Sequence, residues 1–122
     1  MYNILIVDDE QNLLDFMEND FREFNDEFSI FTTSKSNAVS AMLEELSIDL
    51  LISDIFMPDK DGLELIREVR GKYPDLKIIA MSGSSVGNGT YLHVAEILGS
   101  AFTLQKPFSM AELASAIEVS LS

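Results

Sequence analysis

Short runs of wholly apolar, largely β-branched residues recur along the chain and predict buried strands. The three clearest runs cover residues 4–7, 50–52 and 78–81, and two weaker candidates cover 28–32 and 101–105. Continuous apolar runs of this length are typical of parallel strands that are covered on both faces. The pattern therefore predicts a sheet in the middle of the molecule.

Between these runs the apolar period changes from two to about 3.6 residues, which predicts helices. One predicted stripe consists of Leu13, Phe16, Met17, Phe21 and Phe24, and another of Leu65, Ile66 and Val69. Further helices are expected at about 37–46, 91–98 and 110–121, the last one after a Ser109–Glu112 capping box. Strand and helix alternate five times, which predicts a single α/β domain over residues 1–122. Its expected architecture is a doubly wound parallel sheet with helices on both faces.

Composition and charge exclude several classes of function. Twenty-one acidic and eight basic residues give a formal net charge of −13, which repels nucleic-acid phosphates, so direct DNA or RNA binding is not expected. No apolar run approaches the ~20 residues of a membrane span, and the start is unlike a signal peptide, so a cytoplasmic location and no membrane contact are predicted. The absence of cysteine and the single histidine, His93, exclude disulfides, thiolate catalysis and a histidine-rich metal site.

The chemistry is expected at the carboxyl ends of the strands, where doubly wound sheets bind their ligands. The residues that follow the predicted strands there are Asp8, Asp9, Asp54, Ser82 and Lys106. Each alone has an ordinary explanation, such as a helix start, a turn acid, a loop serine or a surface lysine. Together, the crowded carboxylates favour a hard cation such as Mg²⁺. A cation, an ammonium and a hydroxyl suit a phosphoryl group, for which Asp54 is a competent nucleophile.

Four motifs in this order and spacing resemble one family. Residues 4–10 read ILIVDDE, 54–62 DIFMPDKDG, 81–83 MSG and 106–108 KPF. Along essentially its whole length the chain resembles the receiver domain of two-component response regulators. The resemblance implies a flavodoxin-like (βα)5 fold with strand order 2-1-3-4-5, and a phosphoacceptor switch that is not an enzyme beyond assisting its own phosphorylation and dephosphorylation.

The resemblance also implies a role for each site residue. Asp54 corresponds to the phosphoacceptor, and Asp9, Asp54 and the backbone carbonyl of Phe56 correspond to the direct ligands of Mg²⁺, for which Mn²⁺ is a substitute. Asp8 corresponds to the acid that reaches the metal through water. Lys106 matches the lysine that contacts the phosphoryl oxygens, in a peptide bond to Pro107 that is expected to be cis. Ser82 matches the switch hydroxyl.

The chain departs from the family pattern in two ways. Thr103 stands where many receivers carry an aromatic switch residue, which predicts an altered readout. Phe56 stands two residues after the acceptor, where many relatives carry a polar side chain, and Ser84 is at the partnering position after Ser82. We hypothesise that Phe56 restricts the attacking water and slows the loss of phosphate.

The implied partners are a histidine kinase or a histidine phosphotransfer protein, and a downstream protein that the sequence does not identify. Leu14, predicted outside the apolar stripe of the first helix, is a candidate for the docking surface, whereas His93 is not expected to be a phosphodonor. A monomer or a phosphorylation-dependent dimer is expected. The chain ends directly after its fifth predicted helix, which is interpreted as a stand-alone receiver or an excised fragment.

Two other functions compete with this interpretation. A small Mg²⁺-dependent aspartyl-phosphate phosphatase or phosphotransferase uses a second acid two residues after the nucleophile, where this chain has Phe56. A nucleotide- or flavin-binding module uses a glycine-rich loop after the first strand, where this chain has Asp8, Asp9 and Glu10.

Overall fold

A computed structural model describes residues 2–24, 27–57, 61–83 and 102–122 of the chain. Within them lies a parallel sheet with strand order β2-β1-β3-β4-β5. The strands are β1 (Tyr2–Val7), β2 (Phe28–Thr33), β3 (Leu50–Asp54), β4 (Lys77–Ser82) and β5 (Phe102–Gln105). All four strand pairings are parallel. The predicted fold class and strand order are confirmed.

The described helices pack on the two faces of this sheet. They are α1 (Gln11–Phe24), α2 (Val39–Leu46) after a short 3₁₀ turn at Ser36–Ala38, α3 (Gly62–Lys72) and a C-terminal helix (Met110–Leu121). The helix predicted at 91–98, and with it His93, lies outside the described residues. None of the described helices is long and apolar enough to cross a membrane.

Alternation along the strands divides the core into two layers. On β1, Ile4 and Ile6 belong to the cluster that α1 and the C-terminal helix cover. Leu5 and Val7 point the other way, into the cluster that α2 and α3 cover. All four side chains are fully buried, as expected for a strand whose successive residues face opposite sides of a doubly covered sheet.

The apolar stripe of α1 differs from its prediction. Leu14, Met17 and Phe21 are fully buried in the core, and Phe16 is 48% exposed. Leu13 is partly buried at the margin. The apolar residues at 13, 14, 16 and 17 span about half of the helix circumference, so the 3.6-residue period allows two stripes that share Met17 and Phe21. The prediction that Leu14 lies on an exposed docking surface is therefore wrong.

Local sequence signals fix the starts of two helices. Ser109 Oγ accepts a hydrogen bond from the Glu112 amide at 3.0 Å, and the Glu112 carboxylate accepts one from the Ser109 amide at 3.3 Å, which confirms the capping box. The Asp61 carboxylate caps α3 by accepting from the Leu63 amide at 2.9 Å. These bonds satisfy amides that have no partner within the helix.

Candidate functional site

The strand register brings the predicted site residues to one edge of the sheet. Ile6 and Val7 pair with Ile52 and Ser53, so Asp8 and Asp54 follow at the same level. Asp54 is in turn the register partner of Met81, the residue before Ser82. Carboxylate oxygens of Asp8, Asp9 and Asp54 all lie within 4.8 Å of one another. The sheet thus assembles the acidic cluster that the sequence predicts.

Lys106 is held against this cluster by the connection after β5. Its Nζ atom lies 2.5 Å from Asp8 Oδ2 and 3.6 Å from Asp54 Oδ2. The Lys106 amide donates to the carbonyl oxygen of Ser82 at 2.6 Å, which ties this connection to the end of β4. The Lys106–Pro107 peptide bond is cis, as predicted.

The two aspartates that contact Lys106 are buried. Asp8 is fully buried and Asp54 is 4% exposed, whereas Asp9 is exposed. Backbone amides donate to both buried carboxylates: Glu10 N to Asp8 Oδ1 at 2.9 Å and Phe56 N to Asp54 Oδ1 at 3.4 Å. These bonds orient the carboxylates, but an amide carries no net charge and leaves their repulsion in place.

The electrostatics of the site show this repulsion. Burial, the charge of Asp8 and a smaller effect of Asp9 raise the pKa of Asp54 to about 6, against the lowering effects of Lys106 and of the Phe56 amide. Burial acts to lower the pKa of the Lys106 ammonium, but its bond to Asp8 and the charges of Asp54, Asp8 and Glu10 raise it. Ionising Asp54 therefore costs free energy until another positive charge arrives.

The donor set suits a hard divalent cation. Among the described residues, three carboxylates face one ammonium, which leaves two negative charges uncompensated. Carboxylate oxygens are the ligands that Mg²⁺ prefers in proteins. The residues present thus fit the ion that the sequence predicts. The amide of Phe56, the residue whose carbonyl is a predicted ligand, donates to the Asp54 carboxylate at 3.4 Å and so lies beside this cluster.

The two predicted switch residues lie near this edge, on β4 and β5. Ser82 is fully buried and its hydroxyl donates to the carbonyl of Gly83 at 3.3 Å. Thr103 is half-buried and pairs in register with Ala80, two residues before Ser82. Its neighbour Phe102 is 36% exposed. Ser84 lies outside the described residues.

An open cleft of about 370 Å³ lies beside the site and contains residues that the sequence interpretation missed. Its wall is mostly apolar and reaches Lys106 itself. The lining residues are Glu10, Leu13, Phe16, Gly83, Lys106, Pro107 and Phe108. Two features of the sequence could have predicted this cleft: the apolar pair Pro107 and Phe108 after Lys106, and the ambiguous apolar stripe on α1.

Comparison with known proteins identifies the family. Residues 4–118 match the family model described as the response regulator receiver domain. The chain belongs to this family. Receiver domains are the phosphoacceptor switches of two-component signalling, and phosphorylation on aspartate is characteristic of them. The comparisons do not favour the phosphatase alternative.

Individual relatives agree with this assignment. The response regulator SaeR of Staphylococcus aureus (strain USA300) is 32% identical over 113 residues, which are 93% of this receiver domain and 47% of SaeR. The chain thus spans about half the length of this curated relative. Among solved structures, a response regulator receiver domain protein from Clostridium thermocellum has a TM-score of 0.87 at 28% identity, covering 99% of this chain and 94% of that one. The receiver domain of NtrX from Brucella abortus has a TM-score of 0.88 at 26% identity, covering 97% of each chain.

Proposed function

We propose that residues 1–122 act as one receiver domain in which Asp54 accepts a phosphoryl group. The observation that supports this most directly is the pairing of a buried Asp54 with both the carboxylates of Asp8 and Asp9 and the ammonium of Lys106. A carboxylate is a competent nucleophile toward phosphorus. Because the pKa of Asp54 is about 6, its carboxyl group is mostly ionised at neutral pH.

Asp9, Asp54 and the Phe56 carbonyl would hold Mg²⁺ directly, with Asp8 reaching it through water and Mn²⁺ as a substitute. When bound, the ion supplies positive charge that neutralises the phosphoryl oxygens as charge builds on them. The acidic cluster of three carboxylate groups supports this assignment.

The transfer itself forms one bond and breaks another. An Asp54 Oδ atom attacks phosphorus as the bond from phosphorus to an imidazole nitrogen of the donor breaks, and the departing imidazole takes a proton from solvent. Lys106, which already reaches Asp54, contacts the phosphoryl oxygens, and the Ser82 hydroxyl turns toward them. The chain assists this reaction on itself and turns over no separate substrate, so it is a switch and not an enzyme.

The donor we propose is a phosphohistidine on a histidine kinase or a phosphotransfer protein. The cleft lined by Leu13, Phe16, Pro107 and Phe108 supports a docking surface there, because it is apolar and opens beside Lys106. Apolar patches next to a reactive site are frequent sites of protein recognition. This surface replaces Leu14 as the docking candidate. The phosphorylated domain then acts on a downstream protein, as a monomer or a dimer. Thr103 takes part in the conformational change that links phosphorylation to this interaction.

The decisive experiment is phosphorylation by a small donor. The protein is incubated with acetyl phosphate and MgCl₂, and its intact mass is measured with and without EDTA. We expect a labile phosphoryl adduct that requires the metal and is absent from Asp54→Ala. An adduct of equal yield on Asp54→Ala, or none on the parent, would contradict the proposal.

A further inference from the structure

The first residue of α3 touches the backbone that carries the acceptor. A Cβ atom added to Gly62 would lie 2.3 Å from the carbonyl oxygen of Asp54, 2.3 Å from Ile55 Cα and 2.9 Å from the Ile55 carbonyl carbon. All three are backbone atoms, so no side-chain rotation can make room. Gly62 does not adopt a left-handed φ. The need for glycine here comes from close approach and not from backbone conformation.

The segment that Gly62 touches is fixed on several sides. The Ile55 amide donates to the carbonyl of Met81 on β4 at 3.0 Å, and the Ile55 carbonyl accepts from the Gly62 amide at 3.1 Å. The Ile55 side chain is 2% exposed and packs in the core cluster beneath α2 and α3. Ile55 therefore cannot shift without breaking a bond to β4, a bond to α3 or its packing.

Ile55 lies between two groups of the proposed cation site. Asp54 precedes it and supplies a carboxylate, and Phe56 follows it, with its amide on Asp54 Oδ1 and its carbonyl as a proposed ligand. A displacement of the Ile55 backbone moves both groups. The Asp61 carboxylate accepts a hydrogen bond from the Leu63 amide at the start of α3, so its contribution is to the stability of the helix.

We propose that Gly62 is a positioning residue for the cation site. By lacking a Cβ atom it lets α3 rest directly on the Asp54–Ile55 backbone, at the separation that aims the Asp54 carboxylate and the Phe56 carbonyl at one ion. This inference rests on the proposed function, since it concerns the same site. A forced shift of the order of 1 Å is large relative to the coordination tolerance of Mg²⁺, which requires near-ideal geometry.

The test compares two Gly→Ala substitutions in the same helix. Gly71 lies in α3, and a Cβ atom added there would meet nothing within 4 Å, so Gly71→Ala is the matched control. The affinity for Mg²⁺ is measured by chemical-shift titration with MgCl₂, with adduct formation from acetyl phosphate as a second readout. We expect Gly62→Ala to bind Mg²⁺ at least about tenfold more weakly than the parent, and Gly71→Ala to bind like the parent.

A stability control separates positioning from general damage. Asp61→Ala removes the cap of α3 without adding bulk against Asp54, so it should lower the melting temperature while Mg²⁺ affinity changes less than about twofold. If Gly62→Ala is marginally folded, the titration is repeated in trimethylamine N-oxide, which favours the folded state. Parent affinity in folded Gly62→Ala would overturn the inference, as would a chain that does not fold even in the osmolyte. Absence of Mg²⁺ binding by the parent would instead refute the proposed function.

Discussion

The Lys106 ammonium lies 2.5 Å from the Asp8 carboxylate and 3.6 Å from the Asp54 carboxylate. The fully buried Asp8 thus has a close cationic partner. Burial and the charge of Asp8 raise the pKa of Asp54 to about 6, and the more distant Lys106 offsets only part of this rise. The same lysine would have to serve a phosphoryl group on Asp54. Because Lys106 also contacts Asp8, the stability of the domain and the proposed phosphoryl binding would depend on the same side chain.

Lys106→Met should therefore destabilise the domain when no metal is present. Methionine keeps the apolar stem but leaves the buried Asp8 charge without its partner. Removing one member of a buried pair costs about 3 kcal/mol. We expect a loss of this size in EDTA and a smaller one in saturating MgCl₂, because a bound cation would restore the positive charge. Urea unfolding followed by far-UV circular dichroism measures both, since the chain has no tryptophan.

Lys72→Met is the matched control. Lys72 contacts Glu44 at 2.6 Å, but both side chains are more than half exposed. An exposed pair contributes little to the free energy of unfolding because water screens its charges, and this one lies on α2 and α3, away from the acceptor. Equal losses for the two variants, or a Lys106→Met loss that Mg²⁺ leaves unchanged, would contradict the assigned role of Lys106.

Asp54→Asn should stabilise the metal-free domain at neutral pH. The pKa of Asp54 rises from an ordinary 3.8 to about 6 on folding, chiefly through burial and Asp8. At about 1.4 kcal/mol for each pKa unit, ionised Asp54 costs the native state up to about 3 kcal/mol. The amide removes that cost, and urea unfolding in EDTA at pH 7 measures the gain.

The stability difference between the parent and Asp54→Asn should change with pH in a defined direction. Well below pH 3.8 Asp54 is protonated in both states, so parent and Asp54→Asn should differ little. Between pH 4 and 6 the unfolded state loses its proton first, and the parent loses stability relative to the variant as the pH rises. Well above pH 6 Asp54 is ionised in both states and the difference becomes constant. A difference that shrinks as the pH rises would show that the pKa of Asp54 is not raised.

Most of the fold and of the acidic cluster could be predicted because both follow from the alternation of strands and helices along the chain. Apolar runs locate the strands, and parallel order places Asp8 and Asp54 at one edge whatever the details of packing. The orientation of α1 could not be predicted in this way. Leu13, Leu14 and Phe16 give two equally good stripes, and only packing against the sheet selects Leu14 for the core and Phe16 for the cleft. The contact of Gly62 with Asp54 likewise depends on three-dimensional approach.

Substitution by aspartate should affect the free energy of unfolding very differently at Leu14 and at Phe16, which both lie on α1. Leu14→Asp places a carboxylate in the core and is expected to unfold the domain or to destabilise it by about 4 kcal/mol or more. Phe16→Asp, at a 48% exposed position, should change the unfolding free energy by less than about 1 kcal/mol. Circular dichroism and urea titration distinguish the two outcomes.

Phe16→Asp should nevertheless impair transfer from a protein donor. Phe16 lines the cleft beside Lys106. The donor is an autophosphorylated histidine kinase that phosphorylates the parent. A charge at position 16 is expected to slow phosphoryl transfer from this kinase by about tenfold. Labelling by acetyl phosphate, which needs no docking, should be unchanged. Val119→Asp is the control, since Val119 is 51% exposed on the C-terminal helix and does not line the cleft. Similar kinase rates for Phe16→Asp and the parent would exclude this docking surface.

Phe56→Asn should shorten the life of the phosphorylated state. The Phe56 ring follows the acceptor by two residues and is 43% exposed, so it lies where an apolar group can limit the approach of water. An amide in its place can hydrogen-bond a water instead, and we expect about tenfold faster loss of phosphate, equivalent to ~1.4 kcal/mol in the barrier.

The measurement follows the decay of the acetyl-phosphate adduct by intact mass after removal of the donor, with Mg²⁺ held constant. Phe56→Leu is the control for ring size, because leucine remains apolar and its adduct should decay within about threefold of the parent rate. The backbone carbonyl of residue 56 is retained in both variants, so a change in metal ligation does not account for a difference between them. Equal decay of the parent and Phe56→Asn would exclude the Phe56 side chain as the feature that sets the phosphate lifetime.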